Sequence, residues 1–185
     1  MIISISGMPG SGKSTVSHLL AKKLGYKEYS IGDMRREMAK KRGMTLEEYN
    51  KFGEENPSTD REVDEYQKKL GKKEDNFIIQ GRTSFHFIPD SVKVYLDVDL
   101  KEAARRIFRD IKKDPEKRNE GSVNSEEEML ASIKRRVESD KARYRKYYGF
   151  DAYDPFMHDI LIDTTDKSPE EVVKAILSYL KDQKI

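Results

Sequence analysis

Apolar residues along the chain follow two alternating rhythms. Short apolar runs at 1–6, 77–80, 92–98 and 160–162, rich in Ile and Val, are too brief for helices and read as buried strands. A fifth short strand is predicted at 26–31. Between these runs apolar positions recur every three or four residues. Val16, Leu19, Leu20 and Leu24 share one helical face, as do Ala104, Ile107, Phe108 and Ile111. Val172, Val173, Ile176, Leu177 and Leu180 mark a last helix after Ser168-Pro169-Glu170-Glu171, which supplies a cap, a proline at the first helical position and acids in the first turn.

Local signals place the remaining helices. Gly25 stops the first one, and Gly32-Asp33 is expected to open another over 34–41, ended near Gly43. Thr45-Leu46-Glu47-Glu48 has the form of a capping box and starts a helix to about 55. Pro57 restarts the chain, with Ser58 or Thr59 as cap, into a helix through Val63, Tyr66, Gln67 and Leu70. Asn124 or Ser125 caps a long helix over 126–148, after a polar, charged break from Asp114 to Ser122. Five strands alternating with helices predict an α/β fold, a five-stranded parallel sheet covered on both faces. At 185 residues one domain, 1–185, is expected, with a small helical insertion over 32–75.

The turn between the first strand and first helix carries the chemistry. Gly7-Met8-Pro9-Gly10-Ser11-Gly12-Lys13-Ser14-Thr15 fits G-x-x-x-x-G-K-[ST] in the strand–loop–helix context that the pattern requires. Glycines let successive N–H groups curl toward phosphate oxygens, and the helix N-terminus adds partial positive charge. Lys13 would reach the β- and γ-phosphates of a nucleoside triphosphate, and the Ser14 hydroxyl would ligate Mg²⁺. The fold is therefore expected to be that of a P-loop NTPase.

Composition narrows the partners. Lys and Arg (36) nearly balance Asp and Glu (34), which argues against a standing nucleic-acid binder. The absence of Cys excludes disulfides and thiolate catalysis, and no apolar run reaches membrane-spanning length, so a cytoplasmic protein with no membrane partner is expected. Charge is placed unevenly, with acids in excess over 45–75 and bases over 101–118 and 134–146. In an open parallel sheet a ligand sits at the C-terminal strand ends, which selects Asp33, Arg35 and Arg36 after the second strand, Gly81 and Arg82 after the third, and Asp97 at the fourth. Guanidinium groups there suit a phosphate acceptor.

The whole chain resembles the nucleoside monophosphate kinases, most closely the archaeal type of cytidylate kinase. The resemblance rests on Gly32-Asp33-x-x-Arg36, Gly81-Arg82, Arg136-x-x-x-Asp140-x-x-Arg143 with the tyrosines after it, and Ile162-Asp163-Thr164-Thr165. It implies transfer of a phosphoryl group from ATP to CMP or dCMP, with Mg²⁺, in a monomer. Arg36, Arg82 and Arg143 would hold the monophosphate, with Gly81 and Asp33 beside it and Asp140 near its sugar. Arg136 would face the transferring group together with Lys13 and Arg109. Arg105 and Arg109 resemble arginines of a lid over about 110–124, with Arg106 a solvated neighbour and Arg118 a further lid candidate.

Two departures matter. Gln80 stands where related kinases have an acid, so metal support is expected from Ser14, with Asp33 or Asp97 acting through water. Thr83 stands where bacterial cytidylate kinases have an aspartate that contacts cytosine. Base recognition is therefore expected from Asp60, Arg61, Asp64 and Gln67, whose spacing puts polar groups on one helix. Alternatives are an adenylate kinase, a hydroxyl kinase of small metabolites or polynucleotides with Asp33 as base, and a non-catalytic nucleotide-binding module.

Overall fold

In the computed structural model, which describes residues 1–114 and 123–183, the chain runs β1 (Ile2–Gly7), α1 (Lys13–Leu24), β2 (Lys27–Ser30), α2 (Ile31–Lys41), α3 (Leu46–Glu55), α4 (Ser58–Lys73), β3 (Phe77–Gln80), α5 (Ser84–Phe87), β4 (Val92–Asp97), α6 (Leu100–Lys113), α7 (Glu126–Tyr148), a 3₁₀ turn at Pro155–Met157, β5 (Ile160–Asp163) and α8 (Pro169–Asp182). All strand pairs are parallel, in the order β2-β3-β1-β4-β5.

Strand alternation explains how both faces are covered. Ile3 and Ile5 of β1 join Ile78, Val94 and Leu96 on one face, where Val16 and Leu20 of α1 and Val173 and Ile176 of α8 pack against them. Phe77 and Ile79 of β3 point the other way, toward Ile31, Met38 and Ala39 of α2 and Val63 and Leu70 of α4. A third cluster, Ile107, Phe108 and Ile111 of α6 with Met129 and Ile133 of α7, builds the wall beyond β4.

The capping box at Thr45 with Glu48 forms as its spacing predicts, and the cap expected at Ser168 forms as part of a second box with Glu171. Two boundaries differ from expectation. Ser30 ends β2 and its hydroxyl accepts from Asp33 N at 3.2 Å, so α2 starts at Ile31 and Gly32 and Asp33 lie within its first turn. Neither Ser58 nor Thr59 caps α4. Pro57 enters it with helical φ and no side-chain cap, while Thr59 Oγ1 donates to the Asn56 carbonyl. Pro57 is already fixed near helical φ, which makes a polar cap dispensable there. Most of the polar break, including the lid candidate Arg118, lies outside the described residues.

β1 is the central strand, and the chain passes to β2 and β3 on one side and then to β4 and β5 on the other. Such a reversal opens a crevice beyond the C-terminal end of β1. The loop there is pressed tightly onto its neighbours. Gly7 has φ +129°, and a Cβ on it would lie 2.0 Å from the Leu96 carbonyl oxygen. Gly12 also has positive φ, +83°, but a Cβ there would meet nothing within 4 Å. Gly7→Ala is therefore expected to cost about 3 kcal/mol or more, from backbone strain plus collision. Gly12→Ala carries only the left-handed penalty of about 1–2 kcal/mol. Urea unfolding of the two variants checks this, and equal losses would contradict it.

Candidate functional site

A cavity of about 860 Å³ opens at the end of β1 and runs from the phosphate loop to the helices between β2 and β3. At one end Pro9 to Thr15 line it, with Arg105, Arg106 and Arg109 of α6 across from them. The Lys13 ammonium donates to the carbonyls of Gly7 at 3.0 Å and Met8 at 2.5 Å, which holds it over the loop. Gly7 and Met8 themselves do not line the cavity. Ser14 Oγ donates to Gln80 Oε1 at 3.0 Å, so two neutral oxygens face the cavity side by side.

The three arginines of α6 differ in their partners. Arg105 grips Glu102 with Nε and Nη2 at 2.7 and 2.8 Å. Arg106, expected to be solvated, is instead part-buried and donates to the Thr164 and Thr165 carbonyls at 2.8 and 2.9 Å. It ties α6 to the segment after β5. The hydrogen bond from Arg105, with Arg106 adding to it against burial, holds the Glu102 carboxyl down at about 2, so the acid stays ionised.

At the other end Asp33, Arg36, Gly81, Arg82 and Arg136 line the cavity, with Asp60 and Asp64 further in. Arg36 donates to Asp33 at 2.5 Å, within the first turns of α2. Behind this wall runs a buried chain of alternating charges. Arg35 pairs with Asp60, Asp60 with Arg143 at 2.9 Å, Arg143 with Asp140 at 2.7 Å, and Asp140 with Arg82 at 2.9 Å. Tyr153 donates to the same Asp140 carboxylate at 2.7 Å. Burial alone would push the Asp140 carboxyl up, but Arg82, Arg143 and Arg136 together hold it below the usual carboxylate range.

The structure places several of the expected contact residues off the cavity. Asp140 and Arg143 are wholly buried and stand behind the cavity wall, because the network needs both to satisfy each other. Arg61 is exposed and off the cavity, on the solvent side of α4. Gln67 is buried away from it, with its amide engaged by Ser84 at 2.7 Å and Thr83 at 3.4 Å. Asp97 also lies off the cavity, its carboxylate accepting from Val98 N at 2.9 Å.

Arg35 lies in the run that follows the second strand, and no motif assigned it a role. It is buried, lines the cavity, donates to Asn50 at 3.1 Å and lies over the Tyr49 ring at 5.3 Å. A signal was present: Ile31, Arg35, Met38 and Ala39 share the apolar face of α2, where an arginine demands a partner. Tyr148, one of the tyrosines after Arg143, packs against Phe87, Tyr144 and Phe150 and also donates through its hydroxyl to Asp64.

The donor set fits Mg²⁺ held largely by its waters and by phosphate oxygens, since Ser14 and Gln80 supply hard neutral oxygens and Asp33 lies on the same cavity. Among the described residues no three His, Asp or Glu side chains stand together as a cage, so the protein's share of such a site is small.

Residues 3–131 match a family described as an AAA domain. The chain is 38% identical to a cytidylate kinase of Archaeoglobus fulgidus, over 100% of this chain and 97% of that one. It is 35% identical to a cytidylate kinase of Methanobrevibacter smithii, over 98% and 99% respectively, and 36% identical to that of Pyrococcus abyssi, over 99% and 97%. Among solved structures, shikimate kinase from Acinetobacter baumannii in complex with shikimate covers 100% of this chain and 94% of its own, with a TM-score of 0.64 at 18% identity. Shikimate kinase from Aquifex aeolicus covers 100% and 99%, with a TM-score of 0.57 at 25% identity. These structures share the P-loop kinase fold, while relatedness along its whole length shows that the chain belongs to the cytidylate kinase family of phosphotransferases.

Proposed function

We propose that this enzyme transfers the γ-phosphoryl group of ATP to CMP or dCMP. The observation that carries the reading is one continuous cavity with a phosphate loop at one end and three arginines, Arg36, Arg82 and Arg136, at the other. A donor triphosphate and an acceptor monophosphate bring several negative charges to one place, and these cations answer both.

In the mechanism ATP lies with its phosphates on the amides of residues 7–15, Lys13 on the β- and γ-phosphates, and Arg105 and Arg109 over it. Mg²⁺, when bound with ATP, offsets charge on the phosphate oxygens; Ser14 and Gln80 are the side chains that would hold its shell, with Asp33 acting through water. Arg36 and Arg82 hold the acceptor phosphate, and Arg136, at the same end, faces the transferring group. Phosphoryl transfer passes through a loose transition state, so positioning and charge stabilisation dominate. No general base is needed, because the acceptor is already an ionised phosphate oxygen.

Asp140, Arg143 and Asp60 act by holding Arg82 and Arg35 in place rather than by touching the nucleotide. No helix among the described residues is long and apolar enough to cross a membrane.

The direct test is ADP release from ATP and Mg²⁺ with CMP, dCMP, UMP or AMP, against an acceptor-free control. Stimulation by CMP and dCMP is expected. Stimulation by AMP alone would reassign the acceptor, and no stimulation by any of the four would defeat the reading. Lys13→Ala is expected to lower kcat about 10²- to 10³-fold with Tm little changed, as loss of one transition-state donor does.

Arg36→Ala and Asp140→Asn separate contact from support. The first is expected to raise the KM for CMP without loss of stability. The second leaves Arg82 and Arg143 with a neutral partner inside the protein and is expected to cost about 3–5 kcal/mol in urea unfolding. An Asp140→Asn enzyme of native stability with a raised KM would return that residue to the nucleotide.

A further inference from the structure

Beyond the phosphate-facing arginines, the inner end of the cavity changes character. Ile31, Leu46, Val63 and Tyr144 give it apolar walls, and Arg35, Asp64 and Thr83 are set among them. An apolar slot with a few convergent polar groups is the usual chemistry of a pocket for a flat ring. The two acids here are not equivalent. Asp60 is enclosed between Arg35 and Arg143. Asp64 is gripped on one side: its Oδ2 accepts from the Tyr148 hydroxyl, while Oδ1 accepts no hydrogen bond from the described residues, and the residue lines the cavity.

We propose that Asp64 selects the base, its Oδ1 accepting from the exocyclic 4-amino group of cytosine and turning uracil away. This rests on the cytidylate kinase reading above and gives that reading its specificity. Cytosine offers a donor at its 4-position, and uracil offers a carbonyl oxygen. A carboxylate can only accept, so uracil sets two acceptors against each other in a place with little water. Tyr148 is a positioning residue. It fixes the carboxylate through Oδ2 and is itself wedged among Tyr144, Phe87 and Phe150. Arg35, on the same wall, supplies N–H donors suited to the ring acceptors of cytosine.

The same carboxyl makes the choice depend on pH. Burial lifts it to about 7, against the pull of the Tyr148 hydrogen bond; Asp60 adds to the rise, while Arg35 and Lys68 oppose it. The other ionisable groups packed around it hold one charge state near neutrality. Burial drives the Tyr148 hydroxyl up and pulls His86 of α5 down, so both are neutral; burial also pulls on Arg143 behind them, but Tyr144, Asp140 and Asp60 outweigh it and keep that guanidinium charged. Ionised, Asp64 accepts from cytosine. Protonated, it can donate to the 4-carbonyl of uracil. The preference for CMP over UMP therefore rises with pH through about 7.

The experiment is kcat/KM for CMP and for UMP across about pH 6 to 8, in the wild type, Asp64→Asn and Tyr148→Phe. Titration of the substrate phosphate is common to both nucleotides and cancels in their ratio, and a partly unfolded variant loses both rates by one factor. The wild-type ratio is expected to rise at least about tenfold over this interval. In Asp64→Asn it should fall about 10- to 100-fold and become flat, because a carboxamide can turn either its oxygen or its N–H₂ toward the base. Tyr148→Phe should keep the preference for CMP but move the midpoint to higher pH, since the lost hydrogen bond favoured the ionised form.

A ligand-free readout accompanies these. With the native carboxyl lifted to about 7 and the unfolded one near its ordinary value, the native state binds the extra proton between. Stability contributed by Asp64 therefore falls as pH rises through that window, and Asp64→Asn should gain Tm over the wild type at pH 8 relative to pH 5. An unchanged CMP-to-UMP ratio in Asp64→Asn, or a flat wild-type ratio, overturns the assignment while leaving CMP turnover intact. Absence of CMP and dCMP turnover in the wild type defeats the kinase reading, and this assignment with it.

Discussion

The buried run of charges from Arg35 through Asp60, Arg143 and Asp140 to Arg82 is the constraint on which the acceptor end depends. It links α2, α4, α7 and the turn after β3, four segments of which α2 and α4 share an apolar cluster that α7 does not join. Each charge taken from water carries a desolvation penalty that a single partner would not offset, so the members are tolerable only as a set. Three guanidinium groups face two carboxylates, which leaves the set one positive charge in excess beside a cavity that must receive a phosphate. Phosphate affinity and the rigidity of the acceptor wall thus have one origin.

The long helix α7 turns this local network into an architecture. From one end it packs Met129 and Ile133 against α6, which carries the arginines of the donor end. Further along, Ser132 and Ser139 bond Glu47 and Glu54 of α3 at 3.2 and 2.5 Å. Its last turns deliver Tyr147 to the Gly53 and Glu54 carbonyls and Tyr148 to Asp64. One helix therefore fixes the distance between the two ends of the cavity, which is the quantity in-line transfer requires.

Much of this was legible in the chain. The strands, the loop 7–15, the capping box at Thr45 and the cap at Ser168 are local features, readable because period, glycine placement and cap chemistry act over a few residues. The arginines at strand ends followed from the topology rule. What escaped was the depth at which each polar residue lies. Asp60, Asp64 and Gln67 share one face of α4 by spacing, yet one is locked in an ion network, one faces the cavity and one holds Ser84 and Thr83. Helical spacing fixes direction around an axis; it does not say what another helix brings to meet it. Arg106 was misjudged for the same reason, since its partners are carbonyls some sixty positions away.

The substitution at Gln80 shows how such a site tolerates change. An acid there would add a formal charge near Ser14, where the cavity already balances Lys13 and several arginines against incoming phosphate. A glutamine keeps the hydrogen bond to the Ser14 hydroxyl and an oxygen at the same place, without that charge. Since Mg²⁺ keeps most of its ligands as water and phosphate, orientation of the serine is the larger part of what residue 80 must do. A side chain retained for its geometry can exchange charge for neutrality, whereas those in the buried network cannot, because there the charge is what holds the neighbours in place.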